Sequence, residues 1–95
     1  MNLGPFIPEL RKLCRDNNIA MLGVFGSVAR GDDEPESDVD LLIKPRNPIS
    51  LLKLIQLEDR LQGILGRNVD LATENSLHPL IEPEVRRELK IIYES

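Results

Sequence analysis

The sequence contains no tryptophan, one tyrosine, two phenylalanines and one cysteine. So few aromatics leave little with which to stack a base, and a single thiol excludes an internal disulfide. One histidine and one cysteine cannot make a Cys/His metal cluster. An excess of positive charge is missing too: 12 Lys and Arg stand against 16 Asp and Glu, for a net charge of −4. Such a surface does not track a phosphate backbone, so long DNA or RNA is not the expected substrate. No apolar run is long enough to span a membrane, and the N-terminal MNLGPFIPEL lacks the basic flank and long apolar segment of a signal peptide. The expectation is a cytoplasmic protein. At 95 residues, one domain over residues 1–95 is expected, with a single hydrophobic core.

What is present is concentrated between Gly23 and Ile43, GVFGSVARGDDEPESDVDLLI. An apolar run ends at Gly26-Ser27, a short polar stretch follows, and Asp38-Val39-Asp40 opens a second apolar run. Alternate residues of a strand share one face, which directs Asp38 and Asp40 the same way, roughly 7 Å apart by strand rise. Two like charges so placed raise one another's pKa unless a cation lies between them, and oxygen-only ligands suit magnesium or manganese. A calcium loop counted from Asp32 fails, because Ser37 occupies the place that needs glycine. Gly26 permits a tight turn and close approach, while Ser27, opening a helical turn, offers its hydroxyl and nearby N–H groups to a phosphate.

The chain around this stretch reads as a small α/β (α+β) domain. Helix spacing of Phe6, Leu10, Leu13 and Cys14 predicts a first helix over Pro5–Asn17, with Cys14 a core residue. Ile19–Phe25 is the first strand, Gly26–Gly31 a turn with a short helical piece, and Asp32–Ser37 a solvated loop. The second strand runs from about Asp38 to Lys44. For Ser27 to meet Asp38 and Asp40, these two strands must be antiparallel neighbours. Asn47-Pro48 suggests the start of a long helix whose Leu51, Leu54, Ile55, Leu57, Leu61, Ile64 and Leu65 face the core, with Glu58 an exception inside that arc. A third strand, Asn68–Thr73, follows Gly66. A helix joining the second and third strands makes them parallel, which brings Asp70 to the same end as Asp38 and Asp40. A turn around Leu77–Pro79 and a last helix from Pro83 to about Tyr93, with Val85, Leu89 and Ile92 inward, complete the expectation.

Gly26-Ser27, ten intervening residues and Asp38-x-Asp40, within GSVARG…SDVDLLI, resemble the signature of the DNA polymerase beta nucleotidyltransferase superfamily. The short chain is most similar to the minimal nucleotidyltransferases (MNT) of bacteria and archaea. The resemblance covers essentially the whole chain and implies a polymerase-beta-like mixed sheet packed against helices. It implies a third carboxylate on a later strand, matching Asp70. It also implies transfer of AMP from ATP, with two Mg2+ ions held by Asp38, Asp40 and Asp70 and the phosphates met by Gly26 and Ser27. MNT proteins are typically encoded beside a HEPN protein as a toxin–antitoxin pair, which implies a tyrosine hydroxyl of a HEPN toxin as acceptor. Two other readings stay open: transfer to a small molecule, and an antitoxin that merely covers its partner. Arg30 is open between the triphosphate and pairing with Asp32, Asp33 or Glu34. His78 is expected to be a loop residue, and Lys44 and Arg46 to be surface charges remote from Asp38.

Overall fold

The computed structural model describes residues 1–95. A 3-10 turn, Gly4–Phe6, leads into helix α1 (Ile7–Asp16), strand β1 (Ile19–Phe25), the short helix α2 (Gly26–Arg30) and strand β2 (Val39–Pro45). Helix α3 (Leu51–Leu65), strand β3 (Val69–Thr73), a 3-10 turn (Glu74–Ser76), helix α4 (Glu82–Glu88) and strand β4 (Lys90–Glu94) follow. The four strands form one mixed sheet in the order β3-β2-β1-β4. Strand β1 pairs antiparallel with β2 and with β4, and β2 pairs parallel with β3 across the α3 connection. The expected antiparallel and parallel pairings are both present.

The period-2 alternation of the strands divides the sheet into two unequal faces. Leu22 and Val24 of β1, Val39, Leu41 and Ile43 of β2, and Val69 and Leu71 of β3 pack with α1, α2 and α3 in a core of 16 buried residues. The other face has a cluster of only three, Met21, Leu42 and Val85, the last supplied by α4. Even-numbered positions of β2 and β3 therefore lie on the thinly covered face. Asp40 and Asp70 are among them, and no polar or charged residue is fully buried in the molecule. Helix α1 buries Leu10, Leu13 and Cys14 as its spacing predicts. Burial pushes the Cys14 thiol up to about 11, so it packs as a neutral apolar group.

Helix α3 begins later than the Asn47-Pro48 signal suggests. Ser50 is its N-cap, accepting the Lys53 N–H at 3.1 Å, which satisfies an amide that the first turn leaves free. Its core stripe is also narrower than expected: Leu57, Leu61 and Leu65 are buried, whereas Leu51 is 73% and Ile55 50% exposed. Glu58 is on the inner side for a reason. Its Oε2 accepts the Leu71 N–H at 3.2 Å and Gln62 Oε1 accepts the Val69 N–H at 3.1 Å, so one helix face satisfies amides of edge strand β3.

Three further expectations are corrected. The second strand starts at Val39, leaving Asp38 just outside it, and it includes Pro45, which lies beyond the last β2–β3 partner pair, Ile43 and Thr73. The loop after α2 is not wholly solvated: the Asp33 carboxylate is only 5% exposed and is held by Arg67 and by the amino group of Met1. The Met1 amino group first, and Arg67 after it, hold its carboxyl down to about 2. Finally, the last helix stops at Glu88, Leu89 turns extended, and Lys90–Glu94 pairs with β1 as a fourth strand. Ile91, Ile92 and Tyr93 are strand formers, and the open edge of β1 supplies the partner. The close approach of this segment requires Gly23, where an added Cβ would sit 2.6 Å from Leu89 Cδ1.

The uneven burial of α3 is testable by denaturant unfolding. Leu61→Ala is expected to cost about 2–5 kcal/mol, and Leu51→Ala no more than about 0.5 kcal/mol. Equal losses at the two positions would show that the exposed turn of the helix is packed in solution.

Candidate active site

The strand-to-helix turn after β1 explains how an acidic side chain and an open cleft come to adjoin. Phe25, the last residue of β1, is the register partner of Asp40. Gly26 then takes φ +72°, a region that L side chains rarely adopt, and starts α2. A Cβ at Gly26 would overlap Asp40 Oδ2 and lie 3.1 Å from its Cγ. Glycine is needed here twice, for the backbone angle and for the carboxylate beside it.

Gly26, Ser27, Arg30 and Asp40 line one cleft of about 430 Å³, closed on the α4 side by Ile81 and Glu88 among others. Asp70 is the register partner of Asp40 on the adjacent parallel strand, a spacing of about 4.8 Å between backbones. Asp38 and Asp70 are exposed and are not among the walls of the cleft. Both nevertheless act on Asp40. Its carboxyl is pushed above the ordinary carboxylate value, first by burial, then by the charges of Asp70 and Asp38. Glu88 adds to that rise and Arg30 opposes it.

Arg30 is held within the protein. Its Nη1 donates to Glu88 Oε1 at 2.8 Å and its Nε to Asp32 Oδ2 at 3.2 Å, and these partners raise its pKa. Of the pairings expected for it, the one with Asp32 forms; Asp33 instead pairs with Arg67. Glu88 was not legible as a site residue, because its segment reads as the middle of a continuous helix. Its other oxygen accepts the Gly26 N–H at 3.1 Å, so α4 is tied to both ends of α2. The strand-forming Ile91-Ile92-Tyr93 run was the available signal that the helix ends at Glu88. His78 lies in an exposed loop, its Nδ1 accepting the Leu80 N–H at 3.1 Å. Arg46 is exposed and bonds the Ser95 hydroxyl, at the other end of β2 from Asp40.

No three of the acidic, histidine and cysteine side chains converge as a preformed ligand set for a cation. The surroundings of Asp40 nonetheless fit one. The donors are carboxylate oxygens, two of them in register on neighbouring strands, and their mutual repulsion is a cost that a divalent cation removes. The exposed Asp38 and Asp70 can change rotamer without disturbing the core, which convergence on Asp40 requires.

The mixed sheet thus carries two aspartates in register on its parallel pair, beside a glycine turn. The chain belongs to the nucleotidyltransferase domain family, whose model matches residues 7–92. The protein adenylyltransferase MntA of Thermococcus cleftensis is 46% identical over 68 residues, 72% of this chain and 69% of that relative. A solved structure of a candidate minimal nucleotidyltransferase is 34% identical, with a TM-score of 0.79 and 95% of each chain covered. The MNT antitoxin in complex with the tri-AMPylated HEPN toxin of Shewanella oneidensis shares the fold at a TM-score of 0.77 and 20% identity, over 99% of this chain and 74% of that one.

Two outcomes follow from this geometry. Because the folded chain holds a proton on Asp40 more tightly than the unfolded chain, the contribution of Asp40 to stability falls as pH rises from 3.8 through its raised pKa. Asp40→Asn is therefore expected to raise the Tm of metal-free protein near neutral pH, with the difference fading below the ordinary carboxylate pKa; an unchanged or lower Tm at neutral pH counts against the electrostatic account. Gly26→Ala is expected to lower stability by about 1–3 kcal/mol in urea unfolding, and an unchanged midpoint would mean that the turn relaxes.

Proposed function

We propose that residues 1–95 act as one minimal nucleotidyltransferase domain that moves AMP from ATP onto a hydroxyl of a partner protein, a tyrosine of a HEPN-type toxin, and so serves as its antitoxin in the cytoplasm. The observation that carries this reading is the register pair Asp40 and Asp70 beside the left-handed Gly26, in a chain of this family. Relatives named as protein adenylyltransferases, and the shared fold of an antitoxin bound to an AMPylated toxin, support the choice of donor and acceptor.

In this reading Asp38, Asp40 and Asp70 would hold two Mg2+ ions, or Mn2+ in their place. Bound there, the cations neutralise the triphosphate and acidify the acceptor hydroxyl. Gly26 keeps the backbone low enough for the triphosphate to lie against the turn, and the Ser27 hydroxyl with neighbouring amides orients the phosphates. Arg30, at the rim of the cleft, faces the same charge once its pairing with Glu88 or Asp32 is exchanged. Asp70, the more exposed of the facing pair, takes the acceptor proton at its carboxylate as the new oxygen–phosphorus bond forms at the α-phosphate and pyrophosphate departs. The acidic surface and scarce aromatics suit an acceptor that brings its own walls to the site rather than a polynucleotide.

The test is incubation of the purified protein with Mg2+, α-labelled ATP and a HEPN-type partner, read by intact mass. The expected result is addition of AMP to the partner, lost on chelation and restored by Mg2+, and reduced by at least about 100-fold in Asp40→Asn. A partner that binds but is never labelled, or labelling that survives Asp40→Asn, overturns the proposal.

A further inference from the structure

We propose that Arg67 is a positioning residue that fixes the backbone on either side of Asp38, so that this exposed carboxylate is presented for cation binding; the proposal rests on the functional reading above. Arg67 follows Gly66, whose φ of +69° ends α3, and its side chain is only 16% exposed. Its Nη1 donates to Asp33 Oδ2 at 2.9 Å, and its Nη2 donates to the carbonyls of Glu34 and Ser37, each at 2.7 Å. Glu34 and Ser37 are closed on one another, the Ser37 N–H donating to Glu34 O at 3.0 Å and the Glu34 N–H to Ser37 Oγ at 2.9 Å. The guanidinium thus holds a rigid turn rather than a single group.

On the other side of Asp38, the Val39 N–H donates to the Asn68 carbonyl at 2.9 Å. Asp38 is suspended between two anchors, the Ser37 carbonyl and the Val39 amide, and both partners come from consecutive residues, Arg67 and Asn68. Two residues further along, Asp70 stands opposite Asp40. One short segment, residues 67–70, therefore supplies a carboxylate and also sets the position of another that no strand ladder holds. Lysine cannot substitute: its single nitrogen cannot span the separate acceptors that the planar guanidinium fork reaches.

The variants are Arg67→Lys and the double variant Asp33→Asn with Arg67→Met, which removes both charges of that pair while the side-chain amide oxygen at position 33 still accepts from the Met1 amino group. Three quantities are measured: amide hydrogen exchange at Ser37 and Val39 in metal-free protein, calorimetric binding of Mn2+ with a non-hydrolysable ATP analogue, and Tm. The expected result is faster exchange at both amides and an affinity for the Mn2+–nucleotide lowered about 10–100-fold, while the double variant melts close to the parent. A purely structural role moves Tm and leaves the affinity of the folded fraction intact. Exchange and affinity equal to the parent in both variants overturn the positioning role alone. A parent that binds no Mn2+–nucleotide overturns the functional reading, and the positioning role with it.

Discussion

The register of β2 is the constraint on which the rest of the molecule depends. This strand lies between antiparallel β1 and parallel β3, and its odd-numbered residues Val39, Leu41 and Ile43 enter the main core. Asp40 is committed to the opposite face by the same alternation. A slip of one residue would drive the carboxylate into the apolar layer and bring the valine and leucine out. Hydrophobic burial therefore places the acidic group as firmly as it places the core. The Phe25–Asp40 pairing carries this placement into the turn, where Gly26 is the residue that tolerates the approach.

Electrostatics runs against stability at this point. Burial and two neighbouring aspartates disfavour the ionised form of Asp40, and Glu88 adds to them from α4. Arg30 offsets part of this, but its strongest contacts are with Glu88 and Asp32. In the proposed reading, a cation bound among these carboxylates would relieve that repulsion and stabilise the folded state. The cover on this face is also thin. A cluster of three buried residues leaves the sheet open where the acids lie, while the 16-residue core on the other face holds the strands in place.

Much of this is legible in the order of residues. The limits of β1 and the short helix after Gly26 follow from apolar runs broken by glycine, which are local effects, and the antiparallel return of β2 from bringing Ser27 to the aspartates. The parallel β3 and the Asp40–Asp70 pairing follow from a helix between two strands, a topological rule. Other features depend on partners distant in sequence. Ile91, Ile92 and Tyr93 become a strand because the edge of β1 is open to them, and Leu51 and Ile55 are exposed because the contact stripe of α3 is narrow. Glu58 breaks the apolar arc of α3 because it accepts an amide of β3.

The order of residues alone sets glycine, serine and spaced aspartates next to strand-forming runs, the pattern by which the chain resembles a nucleotidyltransferase, because those preferences act over a few residues. Which groups surround them depends on the folded chain: Glu88 lies across 58 residues from Arg30, and Arg67 across 34 from Asp33. Such contacts join segments that the sheet brings together. They depend on packing between segments that carry no mark of one another in the chain.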